Sequence, residues 1–172
     1  MSSRYAALLR GVNVGGKNRI AMPVLAQLFS DAGARDVETY IQSGNVVFTA
    51  NAKTAQPICS KVTRGISFQT HIVLRSQSEL QRIESANPYQ DPDKTYVMFV
   101  ADLPLPERIA LLDQERSVPD EFTICGSDIY LYLPNGVADS KLTNVYFDSK
   151  LKTISTMRNW KTLQKLLAMM AG

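Results

Sequence analysis

The chain reads as an α+β protein made of two small subdomains. Three observations predict this. The first half alternates apolar runs and helical patterns in the order β-α-β-β-α-β, a proline-rich punctuation falls at residues 87–92, and a β-α-β-β order starts again after it. With 172 residues, 45% hydrophobic and 20% charged, the chain has enough apolar surface to build a sizeable core, as one domain or as two sharing an interface.

Residues 4–10 form a compact apolar run suited to a buried strand. Pro23 suits the first turn of a helix, where Val24, Leu25, Leu28 and Phe29 share one face, and Gly33 is placed to end it in a left-handed cap. Residues 37–41 and 46–48 read as two strands around Gln42-Ser43-Gly44-Asn45, a hairpin turn whose centre suits positive φ. A second helix is expected over 54–64 despite Pro57, and a fourth strand over 70–74. This is the ferredoxin-like order, with helices on one face of an antiparallel sheet. The first subdomain is therefore assigned to residues 1–86, the linker to 87–92 and the second subdomain to 93–172.

After a helical stretch at 78–86 and the linker Asn87-Pro88-Tyr89-Gln90-Asp91-Pro92, residues 96–100 read as a strand and 106–115 as a helix. Residues 122–125 and 129–133 form a hairpin turning at Gly126-Ser127-Asp128. Helices over 141–151 and 159–170 finish the second subdomain, with no final strand in the pattern.

Charge is segregated along the chain. Residues 1–86 carry ten Lys/Arg against five Asp/Glu, residues 87–140 three against ten, and residues 141–172 six against one, within a net charge of +3. Basic ends around an acidic middle suit either two subdomains docking by charge or a basic surface that meets an anion; solvated faces give the same counts. No apolar run is long enough for a membrane span, and Cys59 and Cys125 lack a metal-binding or redox spacing, so a cytoplasmic protein without a membrane partner is expected.

Catalytic groups are sparse. The single histidine, His71, falls within the fourth expected strand and is read as structural; it cannot build a His-rich metal site, and no metal or other cofactor is expected. Cys59 and Cys125 read as packing residues, and Asp91, Asp93, Asp120, Glu121 and Asp128 as solvated turn residues. Residues 10–19 differ in kind. Arg10, Gly11, Val12, Asn13, Val14, Gly15, Gly16, Lys17, Asn18 and Arg19 follow a strand, lead towards a helix and place three glycines among three cations, which suits backbone N–H groups and side chains gathered around an anion. Gly11, Gly16 and Lys17 have Walker A spacing, but Asn18 stands where that loop needs Ser or Thr, and G-x-G-x-x-G is absent. Near the C-terminus, Arg158, Asn159 and Trp160 sit at the expected start of the last helix. Asn159 is suited to cap it, and a cation such as Arg158 is misplaced there unless an anion is near. Trp160 shares a face with Leu163, Leu166, Leu167 and Met170 and reads as core or interface more than as a stacking platform.

Three segments carry a family resemblance: Ala7-Leu8-Leu9-Arg10-Gly11-Val12-Asn13-Val14-Gly15-Gly16-Lys17-Asn18, then Thr39-Tyr40-Ile41-Gln42-Ser43-Gly44-Asn45-Val46-Val47-Phe48, and Thr156-Met157-Arg158-Asn159-Trp160-Lys161-Thr162. Together they resemble the mostly bacterial proteins grouped as domain of unknown function 1697. The resemblance spans nearly the whole chain and implies two α+β subdomains of ferredoxin-like character; it implies no activity and no catalytic residue.

Three functions compete on these residues. The first is non-catalytic binding of an anion, nucleic acid or a phosphorylated small molecule, through Arg10, Asn13, Gly15, Gly16, Lys17, Asn18 and Arg19 with help from Arg158, Asn159 and Trp160. For nucleic acid, only Tyr5 and Phe48 are available as sheet aromatics. The second is a small-molecule enzyme joining the loop to Ser43, Asn45 and the Arg158 helix start. That site needs the loop to fold back, because the connection after the first strand and the hairpin are expected at opposite ends of the sheet. The third is a protein-interaction module pairing the acidic middle of one copy with a basic end of another.

Overall fold

A computed structural model describes every residue from Met1 to Gly172. The chain divides into two compact units, one of Met1–Gln81 with Leu166–Gly172 and one of Arg82–Lys165. Each holds a four-stranded antiparallel sheet, so the two small α+β subdomains expected from sequence are present.

In the first unit β1 (Ser2–Leu9), α1 (Met22–Asp31), β2 (Arg35–Tyr40), β3 (Asn45–Asn51), α2 (Ala52–Gly65) and β4 (Ile72–Ser76) give the sheet order β2-β3-β1-β4. β1 lies between β3 and β4, with Leu8 opposite Asn45 and Leu9 opposite Ile72. Side chains alternate across a strand, so Ala7, Leu9, Val46, Phe48 and Ala50 share the face that packs beneath Leu25 and Phe29 of α1 and Ile58, Cys59 and Val62 of α2. Phe29 and Phe48 meet with ring centroids 5.3 Å apart, and burying a side chain of that size contributes about 1.5–3 kcal/mol. The opposite face, with Ala6, Leu8, Val47 and Val73, is buried as well. That is why residues 6–9 read as a continuous apolar run and not an alternating one. α2 starts two residues before the expected 54, because Asn51 caps it by accepting from Lys53 N–H at 2.9 Å.

α3 (Gln77–Ser85) follows β4 directly. The second unit contains β5 (Thr95–Val100), α4 (Pro106–Ile109), β6 (Glu121–Cys125), β7 (Asp128–Tyr132), α5 (Asn144–Leu151), β8 (Ser155–Asn159) and the start of α6 (Trp160–Ala171), in the sheet order β6-β7-β5-β8. Its core joins Met98, Val100, Ile129 and Leu131 to Phe122, Phe147 and Leu151. Two elements differ from the sequence reading. β8 supplies a final strand ahead of the last helix, so this unit also follows β-α-β-β-α-β. The helix expected over 106–115 stops at Ile109: the Tyr146 hydroxyl accepts from Asp113 N–H at 2.7 Å, and the Arg116 guanidinium sits 4.1 Å from the Tyr146 ring centroid. Tertiary contacts there override helix propensity. No helix is long and apolar enough to cross a membrane.

Candidate functional site: a recess between the glycine loop and the start of α1

The loop after β1 is a small hairpin of its own. Gly15 and Gly16, at φ 60° and 73°, form the centre of a two-residue turn, and Lys17 N–H donates to Val14 O at 3.1 Å. Both central positions need positive φ, which only glycine adopts without steric cost. Asn13 N–H closes the next rung on Asn18 O at 3.0 Å. The Asn13 side chain ties this hairpin down: its Nδ2 donates to Ile20 O at 3.0 Å and to Gln42 O at 2.7 Å, while its Oδ1 accepts from Ile20 N–H at 2.9 Å. Asn18 Nδ2 donates to Gly11 O at 3.1 Å. Both asparagines thus use their side-chain amides to shape the loop.

The contact between Asn13 and Gln42 corrects one expectation. The loop and the β2–β3 hairpin share one end of the sheet. The antiparallel register opposes Leu8 to Asn45, so the end of β1 adjoins the start of β3, and Leu9 N–H donates to Gly44 O at 2.9 Å. Gly44 has φ 82°, and a Cβ there would stand 2.9 Å from Leu9 Cβ and 3.4 Å from Val12 Cβ. The start of β4 reaches the same end, where Arg10 N–H donates to His71 O at 2.9 Å and the Thr70 hydroxyl to Arg10 O at 2.8 Å. His71 itself is exposed and precedes β4 by one residue, so it is not a strand residue packed in the core. Asn45 is fully buried, with Nδ2 donating to Tyr40 O and Ser43 Oγ at 3.0 Å each, which commits it to the turn.

Between the loop, the start of α1 and the hairpin lies a recess of about 460 Å³ lined by Asn13, Gly16, Arg19, Ile20, Ala21 and Gln42. Its electrostatics are one-sided. The Arg19 guanidinium rests beside Gly16, with Nη2 3.7 Å from where a Gly16 Cβ would stand. Ala21 is the N-cap of α1, so no side chain caps that end, and the first turn holds no acidic residue. Pro23 carries no N–H and Leu25 N–H donates to Ala21 O at 3.0 Å, so this helix start, whose N-cap Ala21 lines the recess, leaves two N–H groups, those of Met22 and Val24, without a side-chain cap. The exposed Lys17 and Arg19 side chains form no ion pair. Beside Gln42, Ile41 holds φ 48°, a left-handed conformation that a β-branched residue adopts at a cost of about 1–3 kcal/mol. The sequence pattern places Ile41 as the last residue of a strand over 37–41, whereas β2 ends at Tyr40 and Ile41 opens the turn.

The other expected site residues belong to the second unit. Arg158 lies in β8 and not at a helix start, which removes the misfit with the helix dipole. It is 8% exposed, donates to Thr156 Oγ1 at 2.7 Å and to Met157 O at 2.8 Å, and burial pushes its pKa down to about 10. Asn159 Oδ1 accepts from Thr162 N–H at 2.8 Å, the capping role its residue type suggested, and Trp160 and Leu163 are buried.

Across its length the chain is similar to a conserved bacterial protein, SP0830, from Streptococcus pneumoniae. The two share 25% sequence identity over 99% of each chain, and their structures superpose with a TM-score of 0.71. No curated protein matches the sequence. The model of the family described as protein of unknown function (DUF1697) matches residues 2–130, three quarters of the chain and both of the N-terminal segments that carried the resemblance. The chain belongs to the DUF1697 family.

Proposed function

We propose that the protein binds the anionic group of a phosphorylated small molecule in the recess beside the glycine loop. One observation carries this reading: Arg19 and the uncapped N-terminus of α1 line the same recess, and no carboxylate lines it with them. A helix end that leaves its first N–H groups without side-chain partners favours an anion, and a guanidinium on the adjoining wall adds a charged donor pair suited to phosphate oxygens. Lys17, which follows the turn glycines, is exposed and adds positive charge to the loop. Gly15, Gly16, Asn13 and Asn18 set the shape of the loop, and Arg10 anchors its start through the main chain.

The lining supplies an anchor and a cavity but no nucleophile and no carboxylate base, so it supports binding ahead of catalysis. A small molecule is favoured over nucleic acid on two grounds. The volume lies within the small-molecule range of about 300–1,000 Å³. In addition, Phe48 is fully buried, which leaves the half-buried Tyr5 as the one of these two sheet aromatics with an accessible ring, short of the several stacked rings such recognition uses. The test is isothermal titration calorimetry with inorganic phosphate, pyrophosphate and ribose 5-phosphate on the full chain and on Arg19→Ala. Binding of at least one of these, weakened about tenfold or more by Arg19→Ala, is expected. Equal affinity in the two proteins, or no heat with any of the three, refutes the reading.

A further inference from the structure

We infer that the first unit carries a second site, at the opposite end of β1 from the anion recess, where an extended, uncharged peptide segment of a partner protein adds as a short strand. The opening arises because the two neighbours of β1 differ in length. β1 pairs with β3 from Ser2 opposite Asn51 to Leu8 opposite Asn45, but with β4 only from Leu9 opposite Ile72 to Tyr5 opposite Ser76. Ser2, Ser3 and Arg4 therefore have a strand on one side and none on the other. A local signal stops β4 there. Ser76 and Glu79 form a capping box, in which Ser76 N–H donates to Glu79 Oε2 at 2.7 Å and Glu79 N–H to Ser76 Oγ at 3.3 Å, so the chain turns into α3 instead of continuing along β1.

Main-chain polar groups of successive strand residues point to opposite sides. Leu9 N–H donates on the β3 side, to Gly44 O, and Arg10 N–H on the β4 side, to His71 O. By that alternation Arg4 N–H and Ser2 C=O face the open side, the donor and acceptor next in line for an antiparallel partner. A recess of about 440 Å³ lies at this place, lined by Ser3, Arg4 and Tyr5 of β1 and by Ser76, Gln77 and Ser78 where β4 gives way to α3. The lining selects the segment. Arg4 is the charged residue there, and its guanidinium turns away over β3 and β2, to Asp36 O at 2.8 Å, Thr49 Oγ1 at 3.4 Å and an ion pair with Glu38. A charged side chain entering the recess would find no free counter-charge. The Gln77 side-chain amide has no hydrogen-bond partner in the protein and offers the donor and acceptor that complement a peptide group. Strand addition takes its affinity from main-chain bonds of this kind, and the three open residues give it about 10 Å of ladder.

Residue-resolved NMR on the full chain tests this, with a pool of acetylated tetrapeptide amides randomised over Ala, Ser, Thr, Val, Asn and Gln. Amide shifts concentrated at residues 2–5 and 76–78 are expected, with an apparent dissociation constant on the order of 1 mM and exchange of the Arg4 N–H slowed at least about fivefold near saturation. The same pool methylated on its backbone nitrogens should bind at least about tenfold more weakly, because methylation removes the donors a ladder needs. Gln77→Ala, a helix-favouring change at a side chain without internal partners, should weaken the unmethylated pool about threefold or more at an unchanged thermal midpoint. Should that variant fail to fold, the comparison of the two pools decides alone. Unchanged affinity in folded Gln77→Ala overturns the role given to that amide, and equal binding of the two pools overturns strand pairing. Shifts at these residues with maltotriose and with neither pool overturn the proposal in favour of a sugar. No shift at Arg4 with any of the three overturns the site and leaves the anion reading standing.

Discussion

Replacing Asn13 tests whether one side chain holds the glycine loop against the β2–β3 hairpin. Asn13→Ala removes three hydrogen bonds, those to Ile20 O, Gln42 O and Ile20 N–H. At a net contribution of about 0.5–1.5 kcal/mol each, they account for about 1.5–4.5 kcal/mol. The residue also sits at φ 55°, where alanine costs about 1 kcal/mol or somewhat more while asparagine is tolerated. The expected destabilisation is about 2.5–6 kcal/mol, read as a lowered urea midpoint with an unchanged slope. Asn13→Asp sharpens the comparison. It is nearly isosteric and still accepts from Ile20 N–H, but it turns a donor to two carbonyls into an oxygen facing them, so it should destabilise by at least about 2 kcal/mol at neutral pH. A midpoint for either variant indistinguishable from wild type would refute the claim that Asn13 clamps the loop.

Gly44→Ala should cost about 2–5 kcal/mol in the same assay, from positive φ together with a Cβ only 2.9 Å from Leu9 Cβ; a loss below about 1 kcal/mol would mean the hairpin and β1 are not in close contact. Burial pushes the Cys59 thiol from its ordinary 9.0 up to about 12, so iodoacetamide at neutral pH should alkylate the exposed Cys125 and spare Cys59, as mass mapping of the native protein would show. The same shift makes folding stability fall as pH rises from 9 towards 12, because the unfolded thiol ionises first; denaturant titrations of Cys59→Ala should show a shallower decline over that window. Tyr146→Phe leaves Asp113 N–H without its 2.7 Å partner and should lower stability by about 1–3 kcal/mol, whereas an unchanged midpoint would remove that hydroxyl as the reason α4 is short.

Much of the fold was legible in the residues because periodicity tracks burial. The continuous run at 6–9 marked a strand buried on both faces, and Leu25 and Phe29 marked the inward face of α1. β8 escaped for the opposite reason. Its buried residues are Ser155, Thr156 and Arg158, polar side chains satisfied by hydrogen bonds such as Arg158 to Thr156, and a hydrophobic pattern has no means of registering them. The segment 110–115 failed in the other direction: its composition favours a helix, and only a contact with Tyr146, some thirty residues later, decides otherwise.

The candidate site was legible in its parts and not in its arrangement. Glycines flanked by cations pointed to residues 10–19, yet Asn13 and Asn18, which look like ligand contacts in a sequence, turn their amides onto the loop itself. Ala21 and Gln42 carried no signal at all, since an uncapped helix start is recognised only by the absence of Ser, Thr, Asp or Asn at a boundary known to within a few residues. What brings Gln42 into the site is the strand order. In a β2-β3-β1-β4 antiparallel sheet, β1 and β3 run in opposite directions side by side, so the chain leaving β1 must emerge where β3 begins. The ferredoxin-like order inferred from the pattern already contained that consequence. Following strand directions through that order, before assigning residues to opposite ends, would have joined the glycine loop to the hairpin from the sequence alone.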